Sequence, residues 1–184
     1  VEKAAFCGVS MGGHTALQLA LDAPTRVSAI VVCNSAAKIG TAEAWKERAD
    51  TLRQQGQEAI KDLASTAPQR WFTPGYIEQH GDVVATMQEQ FATLDAEGYA
   101  SCCDALGQSD LRNVISKIKV PTLLVAGEFD PVTTVVDAEN MQAEISDSTV
   151  VVLPASHISN VEVANDFTET LIRFLEVENN LNLN

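Results

Sequence analysis

The spacing of apolar residues changes character along this chain, and each spacing predicts an element. Ala4-Ala5-Phe6-Cys7 is a short unbroken apolar run that reads as a strand. Ala16-Leu17-Gln18-Leu19-Ala20-Leu21 follows with a helical pattern, which ends near Asp22 because Pro24 cannot continue it. Val27-Ser28-Ala29-Ile30-Val31-Val32-Cys33 is then almost continuously apolar and rich in β-branched residues. Such runs belong to parallel strands buried on both faces. Strand, helix and strand form a βαβ unit, with a right-handed crossover expected.

From Thr41 to about Ile115 the pattern turns helical throughout. Thr41 caps a helix that carries Trp45, Ala49 and Leu52 on one face. Ile60, Leu63 and Ala64 mark a second helix, closed by Pro68. Thr73-Pro74 is an N-cap with proline at the first helical position. Val84, Met87, Phe91 and Leu94 line another face, and Tyr99, Cys102, Cys103 and Leu106 a further one. With no strand pattern in this stretch, the reading is a helical insertion between two buried strands, serving as a lid. An independent helical domain is the alternative.

Alternation of strand and helix returns at Val120-Pro121-Thr122-Leu123-Leu124-Val125-Ala126, with Pro121 at a strand start where its missing N–H is tolerated. A helix is expected from Val135 to Ile145, and a strand over Thr149-Val150-Val151-Val152-Leu153. Ser159-Asn160-Val161-Glu162 has the form of a capping box, opening a last helix with Phe167, Leu171, Phe174 and Leu175 on one face. The polar end from Glu176 to Asn184 is expected to fray. The predicted class is α/β, with a mostly parallel sheet and a helical lid insertion. Its divisions are residues 1–40 and 116–178 as core, 41–115 as lid and 179–184 as a frayed tail.

Composition narrows the function classes. The chain has 184 residues, 46% of them apolar and 20% charged, which suits a globular domain with a real core. A formal net charge of −13 argues against nucleic acid or an anionic membrane surface as partner. No apolar run is long enough to span a bilayer, and no signal peptide is present. Cys7 and Cys33 lie in strand-like runs, where buried free thiols are expected. Adjacent Cys102 and Cys103 lack metal or redox spacing. A reducing, cytoplasmic setting without disulfide or metal follows.

The chemistry concentrates at strand ends. Gly8-Val9-Ser10-Met11-Gly12 is Gly-x-Ser-x-Gly, placed between the first strand and its helix. A nucleophile elbow needs that order: the serine sits in a strained turn, and Gly8 and Gly12 are read as letting strand and helix approach closely. The amide of Met11, at the helix N-terminus, can face a developing oxyanion. Asp130 follows the strand ending near Ala126, and His157 follows the strand ending at Leu153. His157 can take the serine proton near neutral pH, and a carboxylate on its other nitrogen fixes the tautomer. Glu128 is the nearest rival to Asp130. Asp104 and Asp110 are read as solvated helix residues, as are His14 and His80 as packed or surface groups. The order Ser, Asp, His is that of α/β-hydrolases.

With these residues placed, the chain resembles the 3-oxoadipate enol-lactonase family of the α/β-hydrolase superfamily. The resemblance rests on Phe6-Cys7-Gly8-Val9-Ser10-Met11-Gly12-Gly13 and Val32-Cys33-Asn34-Ser35-Ala36-Ala37-Lys38-Ile39-Gly40. Arg70-Trp71-Phe72-Thr73-Pro74, Glu97-Gly98-Tyr99, Lys119-Val120-Pro121-Thr122 and Ala155-Ser156-His157-Ile158-Ser159-Asn160 complete it. It implies hydrolysis of a small lactone in bacterial degradation of protocatechuate or catechol, with no cofactor. Ser10 is then the nucleophile, His157 the base and Asp130 its orienting acid. A substrate carboxylate implies a cation from the lid, with Lys38, Arg48, Arg53 and Arg70 as candidates and Trp45 as a lining aromatic; Arg70 and Trp45 are put forward. The family also carries a portion before the elbow that supplies a second oxyanion donor, so the chain is expected to be the C-terminal part of such a fold. A carboxylesterase, a C–C bond hydrolase, a haloperoxidase-like enzyme, or an inactive or ligand-binding member of the fold are the alternatives.

Overall fold

The computed structural model describes the backbone of residues 1–181 and the side chains of residues 1–177. The chain divides into two compact units, Val1–Ala37 with Asp110–Asn184, and Lys38–Ser109.

The first unit is built on four parallel strands in spatial order β1-β2-β3-β4. They are β1 (Ala4–Val9), β2 (Val27–Cys33), β3 (Thr122–Gly127) and β4 (Ser148–Leu153). The register aligns Val9 with Cys33, Cys33 with Val125, and Gly127 with Leu153, so all four strands finish along one edge. Helix α1 (Met11–Asp22) joins the first two strands, and its capped end at Ala23 precedes Pro24 as expected.

Period-two alternation explains why β2 and β3 are apolar on both faces apart from Ser28 and Thr122 near their starts. Ile30, Val32, Leu124 and Ala126 face one core with Ala16, Leu17 and Ala20 of α1. Val31, Cys33, Leu123 and Val125 face a second core with Phe167. A strand covered on both faces leaves little room for polar side chains: Ser28 is half-buried, and buried Thr122 donates its hydroxyl to the Val120 carbonyl at 2.9 Å. Cys33 is buried accordingly, but Cys7 is exposed on the edge strand β1, against expectation. Its Sγ lies 3.9 Å from that of Cys33.

The second unit is helical throughout: α2 (Ala42–Gln55), α3 (Gln57–Thr66), α4 (Pro68–Trp71), α5 (Pro74–Gln79), α6 (Gly81–Ala92) and α7 (Ala96–Gln108). Thr41 caps α2 by accepting from the Ala44 amide, and Thr73 caps α5 by accepting from that of Tyr76. Ala49, Leu52, Ala59, Ile60, Ala100 and Cys103 form its core, with Trp45 packed at the margin.

Helix α8 (Val135–Glu144) starts with a capping box of Thr134 and Asp137 and packs on β3 and β4. The box expected at Ser159 is absent. Residues Ser159–Glu162 form the single turn α9, whose N-cap residue is Ile158 and has no side-chain cap. The Ser159 hydroxyl is engaged elsewhere, as described below. A break at Val163 separates this turn from α10 (Ala164–Leu181), whose Phe167 joins the second core. The backbone of α10 stays helical through Leu181, past the start of the expected fray; residues 182–184 of that tail lie outside the described residues. Among the described residues, no helix is long and apolar enough to cross a membrane.

Candidate active site

Parallel strands bring their C-terminal loops together, and here each loop contributes a side chain. Ser10 follows β1 with φ 55° and ψ −117°, a strained backbone for a residue with a Cβ. The turn is held from β2: the Ser10 amide donates to the Cys33 carbonyl at 2.8 Å, and the Ser35 hydroxyl donates to the Ser10 carbonyl at 2.7 Å. A Cβ on Gly8 would lie 2.2 Å from the Gly12 carbonyl carbon, so residue 8 must be glycine for strand and helix to meet. Gly12 itself is not constrained in this way, because a Cβ there would touch nothing within 4 Å. The second steric demand falls instead on Gly13, whose Cβ would come 2.7 Å from that of Ser35.

The three side chains expected to act together do meet. Ser10 Oγ lies 2.9 Å from His157 Nε2, and His157 Nδ1 lies 2.8 Å from Asp130 Oδ2. An ionised Asp130 only accepts, so Nδ1 carries the proton and Nε2 is left to accept from the serine. Asp130 and His157 are each 5% exposed, which shields their pairing from water.

Burial by itself would push the Asp130 carboxyl up. The hydrogen bond and charge of His157, with the amides of Val132 and Thr133, outweigh that and hold it below the usual carboxylate range. Oδ1 accepts from the Val132 amide at 2.8 Å and the Thr133 amide at 3.1 Å, while Oδ2 also accepts from the Thr133 hydroxyl at 2.9 Å. Sequence reasoning passed over Thr133. The turn-forming Asp-Pro-Val-Thr segment after a strand was the available signal.

The amide of Met11 is the first of α1, directly after Ser10, where helix geometry provides no acceptor within the helix. The competing acids are placed elsewhere. Glu128 is exposed, Asp110 pairs with Arg112 at 2.6 Å, and Asp104 pairs with Arg53 at 2.7 Å. His14 is buried and donates from Nδ1 to the Ala36 carbonyl at 2.9 Å; exposed His80 lies with its ring centre 4.3 Å from that of Tyr76, the two rings tilted by 31°. Among the described residues, no three His, Cys, Asp or Glu side chains could hold a metal ion.

The proposed carboxylate readers lie in the helical unit. Arg53 spends its guanidinium on Glu97 and Asp104. Arg70 donates to the Thr66 carbonyl and hydroxyl at 3.3 and 3.2 Å, and burial, then the Arg48 charge, lower its basicity. Arg48 sits 5.0 Å from the centre of the Trp45 ring, whose indole N–H donates to the Ile39 carbonyl at 2.5 Å.

A family model described as the alpha/beta hydrolase fold matches residues 1–163. The chain is 46% identical over 171 residues to 3-oxoadipate enol-lactonase 2 of Acinetobacter baylyi, covering 93% of this chain and 63% of that protein. It is 39% identical over 176 residues to 3-oxoadipate enol-lactonase 1 of the same organism, covering 96% of this chain and 65% of that one. The crystal structure of an enol-lactonase from Burkholderia xenovorans superposes with a TM-score of 0.91 at 40% identity, over 96% of this chain and 66% of that one. The chain thus spans slightly under two thirds of each of these relatives. A pimeloyl-[acyl-carrier protein] methyl ester esterase of Aliivibrio salmonicida is 28% identical over 183 residues, 96% of this chain and 70% of that protein.

Proposed function

Because the chain belongs to the alpha/beta hydrolase fold family, we propose that it opens 3-oxoadipate enol-lactone by nucleophilic catalysis at Ser10. The observation that carries this is the continuous hydrogen-bonded line from Ser10 through His157 to Asp130. The similarity to three enol-lactonases supports the choice of substrate.

In this mechanism His157 Nε2 takes the Ser10 proton as Oγ attacks the lactone carbonyl. The Met11 amide stabilises the oxyanion of the tetrahedral intermediate. Collapse breaks the ring C–O bond and leaves an acyl-enzyme bearing an enolate, which takes the proton held by His157 and becomes a ketone, so that the imidazole is neutral again. His157 then removes a proton from water, the hydroxide attacks the ester, and 3-oxoadipate leaves as Ser10 regains its proton. Asp130 stays ionised throughout and stabilises the imidazolium. Side chains and water carry every step without a cofactor.

The helical unit is assigned the part of a lid, with Arg70 and Trp45 contributing to recognition of the substrate. The setting is the cytoplasm, where neighbouring thiols such as Cys7 and Cys33 stay reduced. A second reading, ester hydrolysis, draws on the likeness to the methyl ester esterase. Comparing kcat/KM for the enol-lactone with that for a methyl ester of a similar acid tests the choice: a large preference for the lactone supports the proposal, and a preference for the ester replaces it.

A further inference from the structure

Asn34 takes no part in the mechanism above, yet it is 1% exposed and placed at the end of β2, on the same edge as the three reacting residues. Its φ of 44° is left-handed, a region where asparagine is one of the few tolerated side chains. Its backbone amide donates to the Val125 carbonyl at 2.7 Å. Both hydrogens of its side-chain amide are used: Nδ2 donates to Asp130 Oδ2 and to the Ser156 carbonyl, each at 3.1 Å. Oδ1 accepts from the Ser159 hydroxyl at 2.5 Å, which explains why that hydroxyl does not cap a helix. A flipped amide would set Oδ1 against a carboxylate and a carbonyl with no proton between them, so the orientation is determined by its neighbours.

The end of β3 is shaped to admit this amide. A Cβ on Gly127 would come 2.4 Å from the Ser156 carbonyl and 3.0 Å from Asn34 Nδ2. Three groups donate to Asp130 Oδ2: His157 Nδ1, the Thr133 hydroxyl and Asn34 Nδ2. Thr133 belongs to the aspartate's own loop. Asn34 also holds the carbonyl of the residue just before His157.

We propose that Asn34 is a positioning residue, which fixes Asp130 against His157 by bonding the aspartate loop and the histidine loop at once. The inference rests on the reading of Ser10 as a nucleophile and His157 as its base. Removing the amide takes one donor from an ionised oxygen, leaving more of its charge on the bond to His157 and holding the imidazolium more tightly. The base is then freed only at higher pH. The other charged group on the histidine loop is Glu162 of α9, which accepts from the Ser156 amide at 2.8 Å and is left intact.

The test is the Asn34→Gly variant, which accepts the left-handed backbone and deletes only the side chain. The rate of Ser10 labelling by a fluorophosphonate is measured against pH, alongside circular dichroism and the proton resonance of the His157 Nδ1–H. The expected result is a folded protein labelled about 10- to 100-fold more slowly, with the acidic limb of the profile moved to higher pH and the resonance moved downfield. A folded variant that matches the parent in rate, limb and resonance overturns the proposal. Should Asn34→Gly fail to fold, Ser159→Ala serves, since it frees the amide to rotate; a smaller loss with the same limb shift supports the role, and parental behaviour overturns it. If the parent itself is not labelled, the hydrolase reading fails, and the Nδ1–H resonance alone decides for or against Asn34.

Discussion

His157 Nε2 lies 2.9 Å from the hydroxyl of Ser10, a residue 147 positions earlier in the chain. That separation is closed by the parallel sheet, whose register sets the ends of β1 and β4 along one edge. What the pair can do depends on Asp130, which holds the imidazole with its acceptor nitrogen toward the serine.

Replacing Asp130 with asparagine keeps the size of the side chain and removes its charge. An amide can donate to His157 Nδ1 and so favour the wrong tautomer. The expected loss in kcat is on the order of 10⁴-fold, with little change in fold. Steady-state kinetics beside circular dichroism check both halves.

The pH dependence of stability follows from the depressed carboxyl of Asp130. Its contribution is fully present above the unfolded carboxyl pKa of about 4 and is lost as pH falls through the lower folded value. The difference in Tm between the parent and Asp130→Asn is therefore expected to be constant near neutrality and to shrink below about pH 4. A difference that grows on acidification would contradict the assignment.

Gly8 and Gly12 share one motif and make opposite predictions. In Gly8→Ala the new methyl meets the Gly12 backbone at 2.2 Å, which cannot rotate away. A loss of about 3 kcal/mol or more is expected, read as a lower denaturation midpoint. In Gly12→Ala the methyl meets nothing within 4 Å and removes a helix glycine. Stability is expected to stay level or rise by up to about 1 kcal/mol.

The thiol pair on β1 and β2 is asymmetric. The hydrogen bond with Cys7, then burial, push the Cys33 thiol up; the same bond holds the exposed Cys7 below the usual thiol range. Alkylation with iodoacetamide, followed by mass spectrometry, is expected to modify Cys7 well before Cys33. Equal rates would contradict the burial of β2.

Much of this was legible in the chain because local and global signals agree. The run Val27–Cys33 is readable as a strand covered twice, since only Ser28, near its start, interrupts the apolar residues. Ser10, Asp130 and His157 are readable because each follows a strand closely, and parallel strands share an edge. Ser159 misled because a capping box and a long-range hydrogen bond ask for the same residue type; its hydroxyl serves Asn34, 125 positions away. Cys7 misled because an apolar strand does not announce that it lies at an edge. Gly12 misled because the motif names two glycines, whereas the clash runs from Cβ of the first to the backbone of the second. Asn34 was open to notice from its place after β2, but only the geometry shows which groups it joins.

The most direct measurement of the central claim is the loss of enol-lactone ultraviolet absorbance with the protein and with Ser10→Ala. The account predicts rapid loss with the parent and none above background with the variant. Loss at the same rate with both would remove Ser10 from the chemistry. No loss with either would contradict the lactone as substrate of this chain.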